Sequence, residues 1–522
     1  MRELQTCSVL TLLSVLVIIA VRIFSHNQLK RSGTVEAALN VSEYGFGATK
    51  QLIILDITEI GSVESIDESD KQYAKMSWSD TDNPIEFKDI GIEFKGGITD
   101  RQKLNYAIEL WEDKDDLTCS SADTCDDRKE RLFGFDEKYD DFILKHDELD
   151  PAFVSSVLPF VTDGAIMELT LVEVLIKIGD KLYYEGVYGL YSDIKRRLLE
   201  KRLNWEDDLG FDGKAEDCDD DDYDIEHTAI IAEYTVSTDT SGRKTPCALF
   251  EDYNIKLRYP KCEDYDSEGF ASCRQEYIDR TENAMSVLSW KNTTTVDLDL
   301  TSFAKKYLLD LLLQKPDIGE NSDYFTLTPD NKLYYGPRWD YDWTRFNTIF
   351  DQKSFDMPFY AYDLFSSEPM PLLVQLGKNK EFIDTVKSLS VTVDKNGNAT
   401  NAMIAERLSQ NKNGYFKRNN ERWKVLGKKV MRKKPVSASW VLLGEWSLTH
   451  STMEEEINFW GDRLKARNDW VRTNLHTLES FKFYKPITEY IFLTILLYLT
   501  PIAAATIFVA YSFREKNMYT KL

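Results

Sequence analysis

The chain has 522 residues, of which 64 are basic and 88 acidic, for a formal net charge of −24. Such a balance excludes a general nucleic-acid binder, which must neutralise phosphates with Lys and Arg, so no nucleic-acid partner is expected. A hydrophobic content of 43% excludes a wholly disordered chain, and a mean hydropathy of −0.40 excludes a polytopic transporter.

In chain order, residues 1–6 form a short tail, and residues 7–24 an apolar stretch with Arg2 before it and Arg22 within its end. Its length and flanks predict a signal anchor or a cleaved signal peptide. Residues 25–50 are a linker. From residue 51 onward, apolar and polar residues alternate, which predicts short strands over 52–57, 90–94, 105–110, 167–177 and 182–188. Residues 194–202 turn helical. An acidic stretch over about 204–297 contains the run 216–224 and several cysteines, and is expected to be an insertion stapled by disulfides. The second half is helical in pattern, over 300–313, 371–389, 400–426 and 453–477, with a basic run at 424–434. Residues 478–489 are juxtamembrane. Residues 490–513 carry no charge and predict a transmembrane helix, closed by a basic cytoplasmic tail over 514–522.

Everything between the apolar segments, the ectodomain 51–477, is then expected on the lumenal or extracellular side of a secretory or cell-surface membrane. Six cysteines lie there, Cys119, Cys125, Cys218, Cys247, Cys262 and Cys273, and an even number fits disulfides in an oxidising compartment. Only Cys119–Cys125 is suggested by proximity. Asn40, Asn292 and Asn398 head Asn-x-Ser/Thr glycosylation sequons.

The common catalytic motifs are missing. Five histidines in no metal-ligand spacing give no support for zinc. No nucleophile elbow, P-loop or Gly-rich dinucleotide motif occurs. What remains is a polar segment over 315–343, in which Asp317, Asn321, Asp340 and Asp342 flank a hairpin-like turn. Hard oxygen ligands gathered across a hairpin suit magnesium with phosphate oxygens completing its shell.

That segment, with its Gly-Pro-x-Trp-Asp-x-Asp element at 336–342, resembles the CotH (spore coat protein H) kinase family. The likeness extends over about residues 51–475. It takes in Lys95-Gly96-Gly97, Lys103, the 106–110 and 141–144 strands, Asp150, the 185–190 strand and the 460–475 helix. The resemblance implies an α+β, atypical protein-kinase-like fold, with a β-rich N-terminal part and a helical C-terminal part, flanked here by two transmembrane helices. It implies phosphate transfer from ATP, with Mg²⁺ or Mn²⁺, to Ser or Thr of secretory or cell-surface proteins.

By the same resemblance, Asp317 and Asp340 are the catalytic carboxylates, and Asp340, Asn321 and Asp342 hold the metal. Lys103, Lys95 and Gly96 meet the nucleotide. The chain departs from the family pattern at Ser192, where a glutamate is usual and Asp193 comes one position late, and at Lys315, where an asparagine is expected. Those departures carry the alternative expectation, a catalytically inactive CotH-like binding or structural glycoprotein.

Overall fold

The computed structural model describes residues 51–193, 230–234, 255–259, 274–288, 296–341, 371–431 and 446–475, apart from short breaks within them. The N-terminal part contains eight strands: β1 (Leu52–Asp56), β2 (Gln72–Ser79), β3 (Lys88–Phe94), β4 (Tyr106–Asp113), β5 (Cys125–Asp127), β6 (Asp141–Lys145), β7 (Leu169–Ile178) and β8 (Lys181–Ser192). Their order is β3-β2-β1-β7-β8-β6-β4-β5, and a further pairing of β3 with β4 closes seven of them into a barrel. Only β1 and β7 run parallel, and β5 extends the far end of β4.

Side chains alternate across each strand, so one set points inward. Ile53, Leu55, Met76, Ile90, Ile92, Ile108, Leu110, Phe142, Leu144, Val174 and Leu190 fill the interior as one packed core. The outward set on β6 is Asp141, Ile143 and Lys145, and these are also buried, because loops and the C-terminal half cover that wall.

Behind the barrel, helix α1 (Val154–Val161) leads back to β7. A second sheet has the order β10-β9-β12-β13-β11, built from β9 (Ile230–Tyr234), β10 (Ile255–Tyr259), β11 (Asp297–Leu298), β12 (Asp323–Leu327) and β13 (Lys332–Tyr335). Helices α2 (Arg274–Leu288), α3 (Leu300–Leu313), α4 (Pro371–Leu376) and α5 (Lys380–Leu389) share a core with it. Thus β9, β10 and α2, from within the acidic stretch, are integral to this second core, with Ile230, Ala232, Met285 and Leu288 buried in it. Helices α6 (Asn398–Lys412), α7 (Tyr415–Trp423) and α8 (Met453–Asn474) join α1 and the end of α3 in a third core, which also takes in Leu171 and Val187 of the barrel. A small pair, β14 (Lys429–Met431) and β15 (Trp446–Leu448), lies between α7 and α8 in sequence.

Local chemistry sets the helix boundaries. The helical run expected over 400–426 is divided at Gly414, whose φ of +80° suits glycine. Asn379 caps α5 by accepting from the Phe382 amide, and Thr452 with Glu455 forms a capping box at α8.

Two expectations are corrected. The β-rich part is not the lobe of a kinase-like fold: with β3 bonded to both β2 and β4, the seven strands form a closed barrel. Among the described residues, no helix is long and apolar enough to cross a membrane, against two flanking spans and a membrane partner. The segments 7–24 and 490–513, on which those spans were read, lie outside the described residues.

Candidate functional site

Where β6 ends, its last outward residue meets the polar segment that the sequence singles out. Lys145 Nζ lies 2.8 Å from Asp340 Oδ1 and 3.4 Å from Asp147 Oδ1. The three side chains differ in access: Asp147 is sealed, Lys145 is 8% exposed, and Asp340 is 30% exposed. A lysine and a carboxylate therefore face each other at the rim of the seam between barrel and helical half.

Asp340 reaches that place because its neighbours are tied down on both sides. Arg338, buried, donates to the Pro159 carbonyl at 2.7 Å and the Thr162 hydroxyl at 2.9 Å, both at the C-terminal end of α1. That end of a helix favours a cation. Trp339 meets the Tyr191 ring edge-on at 5.2 Å, on the barrel's outer wall. Tyr341, fully buried, donates its hydroxyl to Asp310 Oδ1 at 2.7 Å. Between these ties Asp340 takes a left-handed backbone, φ +60°, which Asp tolerates better than most residues.

Asp310 belongs to a second charge group, wholly inside. Lys306 Nζ donates to Asp310 at 2.6 Å and to Asp323 at 3.1 Å, while Lys315 Nζ stands 3.6 Å from Asp323. Two lysines and two aspartates balance, which is what burial of charge requires. Burial opposes the Lys306 charge, but Asp310 and Asp323 outweigh it and its pKa is raised.

Two further carboxyls lie behind the rim. Burial pushes Asp147 up to about 6 against the pull of Lys145. Asp150 also rises to about 6 through burial, although the Ser155 hydroxyl, at 2.8 Å, and the Ser155 amide, at 2.6 Å, hold its charged form.

The other expected site residues that are described have protein partners of their own. Lys103 is buried, donates to the Val187 carbonyl and to Asn419 Oδ1 at 3.2 Å, and lies 4.1 Å over the Tyr188 ring. These partners are β8 and α7, so Lys103 joins the two halves of the molecule, and Val187 lies two residues along β8 from Gly189, the residue opposite Lys145. Lys95 pairs with Asp193 at 3.2 Å, the carboxylate that comes one position late, while the Ser192 hydroxyl accepts from the Glu168 amide. Lys315, the other departure, is an interior counter-charge to Asp323. Cys119 and Cys125 are disulfide-bonded beside Trp111, and Asn398 is an exposed first residue of α6. Gly96, Asp317, Asn321, Asp342, Cys218, Cys247, Cys262, Cys273, Asn40 and Asn292 lie outside the described residues.

Lys145 and Asp147 were not singled out by sequence reasoning. The signal was present: a lysine closing an apolar strand, two residues before an aspartate, in a block that also ends on Asp150. Among the described residues no group of three His, Cys, Asp or Glu could hold a metal ion. Asp340 is the one expected metal carboxylate that is described, and a partly exposed carboxylate is suitable chemistry for one ligand of a hard cation. Comparison with protein-family models finds no match, and comparison with curated proteins finds none either.

Proposed function

We propose that the chain is an ATP-dependent phosphotransferase acting on hydroxyls of secretory or cell-surface proteins, as a distant relative of the CotH kinases, with its site at the Lys145–Asp340 seam. This reading rests on the site and not on a kinase-like fold. The observation that carries it is the 2.8 Å pair between a barrel lysine and the aspartate of the Gly-Pro-x-Trp-Asp-x-Asp segment. Phosphate transfer asks of a protein chiefly positioning and charge. Lys145 binds phosphate oxygens, and Asp340 is a ligand for Mg²⁺ or Mn²⁺, which when bound offsets phosphate charge. Asp317 remains the proposed carboxylate for the attacking hydroxyl. The Cys119–Cys125 disulfide supports an oxidising, secretory setting.

One observation favours the second reading, a catalytically silent binding module: Lys103 and Lys95 both have protein partners. The test is phosphate incorporation from labelled ATP by the full chain with Mg²⁺ or Mn²⁺, beside Lys145→Met, Asp340→Asn and Lys103→Met. Loss of about 100-fold or more in the first two variants is expected, since each removes a group needed for transition-state charge. No incorporation by the native chain, with no rise in melting temperature on adding ATP and metal, leaves the binding module standing.

A further inference from the structure

The chemistry assigned to Asp340 raises the question of what aims its carboxylate. The residue sits in a left-handed backbone with φ +60°, and its side chain is 30% exposed. Neither feature holds a side chain still. Arg338, two residues before it, and Tyr341, directly after it, are by contrast buried and bonded to parts of the chain far away in sequence. On one side, Arg338 fastens the segment after β13 to the end of α1 through Pro159 and Thr162. On the other, the Tyr341 hydroxyl is fixed by Asp310, and Asp310 is itself fixed by Lys306 through its other oxygen. The rings of Tyr341 and Tyr335 also lie near the Lys306 ammonium, at 5.2 and 4.8 Å.

We infer that Tyr341 and Arg338 are positioning residues for Asp340, and that the interior Lys306–Asp310–Asp323–Lys315 group is the foundation that holds Tyr341. Resting on the function proposed above, this assigns a purpose to four buried charges. A packed apolar group would stabilise as well as they do or better. A hydroxyl clamped by a fixed carboxylate gives direction, which packing alone does not.

The inference separates from the activity itself through the chemical reactivity of Lys145. The full chain is treated briefly with an amine-acylating reagent, and labelling of each lysine is read by mass spectrometry. In Asp340→Asn the ion pair is gone, and Lys145 labelling sets the upper limit. Tyr341→Phe keeps the ring and its packing but loses the bond to Asp310. It is expected to raise Lys145 labelling by about threefold through local loosening, with Lys103 labelling nearly unchanged and only a modest fall in melting temperature from the donor that buried Asp310 loses. Where the native chain transfers phosphate, the same variant lowers kcat by about tenfold, with KM for ATP little changed, because misplacement acts on the reacting geometry. Arg338→Lys is the second probe, expected to move Lys145 labelling in the same direction.

Unchanged Lys145 labelling in both folded variants overturns the inference, whatever the activity. A fall in melting temperature without a change at Lys145 also overturns it, by showing a purely structural role. Raised labelling in a chain that never transfers phosphate upholds the positioning and removes the phosphotransferase reading alone.

Discussion

Among the described residues, two polar seams between the barrel and the rest of the chain are built differently. At the first, four side chains of α7 engage the middle of the barrel's long hairpin. Arg418 forms a two-bonded pair with Glu173, Asn419 accepts from the Val187 amide and Lys103, Arg422 donates to the Tyr184 carbonyl, and Trp423 donates to the Glu185 carbonyl. Gly186 lies there with φ +131°, and a Cβ on it would stand 2.6 Å from Asn419 Oδ1. At the second, Lys145 faces two carboxylates and the outer one stays partly in solvent. The first seam is sealed and matched; the second keeps an accessible acid. Sealed charge fixes the relation of the halves, and accessible charge is available for chemistry.

The strongest way to break this comparison is at the sealed seam. Glu173 is fully buried, with Arg418 and the Tyr184 hydroxyl as its partners. Arg418→Ala takes the guanidinium from that buried carboxylate, and a loss of about 3–5 kcal/mol is expected. Denaturant unfolding measures it. Phosphate transfer per folded molecule should be unchanged. If it collapses while the fold holds, the α7 seam is part of the site and the two seams are not distinct.

A smaller effect sharpens the second seam. Asp147 and Asp150 rise from 3.8 to about 6 in the folded chain, chiefly by burial. Raised carboxylate pKa values mean that the folded state binds more protons than the unfolded state between about pH 4 and 6. The stability these groups contribute is present at the acid end and is lost as pH rises through about 6. Asp150→Asn can still accept the Ser155 bonds without a charge. It should flatten the fall of melting temperature between pH 4 and 6 and add on the order of 1 kcal/mol at pH 7.5. An unchanged slope would mean that Asp150 stays ionised in place, satisfied by its bonds to Ser155.

How much of this was legible depends on the distance over which a feature is decided. Helix α3 keeps the bounds 300–313 that its apolar pattern gives, because periodicity is local. The strand over 105–110 lies within β4 except for its first residue, for the same reason. Barrel closure is decided by the pairing of β3 with β4 and of β1 with β7, and the latter pair is far apart in sequence. Charge hid β9 and β10, whose apolar cores of Ile230-Ile231-Ala232 and Leu257 sit within an acidic stretch. The segment 336–342 pointed to Asp340, but not to its partner. A lysine near a phosphate-site motif is a pattern that Lys103 satisfies as text, whereas only the fold shows it bonded to Val187 and Asn419.

The smallest expected effect concerns Lys95, and it tests how far the accessible seam extends. Its ammonium is 3.2 Å from Asp193, and the Asp193 amide donates to the Asp141 carbonyl, at the start of β6. Lys145 is the last residue of that strand, four steps on, or roughly 13 Å at the rise of a β-strand. The Lys95 ammonium is thus held towards the opposite end of the strand from the Lys145–Asp340 pair, while its backbone amide donates to Asn105 at the Lys145 end. Its side chain is 36% exposed, and an exposed pair of this kind contributes about 0–1 kcal/mol. Lys95→Met should therefore leave melting almost unchanged and alter KM for ATP by no more than about twofold. A rise of tenfold would extend the nucleotide site along the whole outer wall of β6 and return to Lys95 the role that its place beside Gly96 suggests.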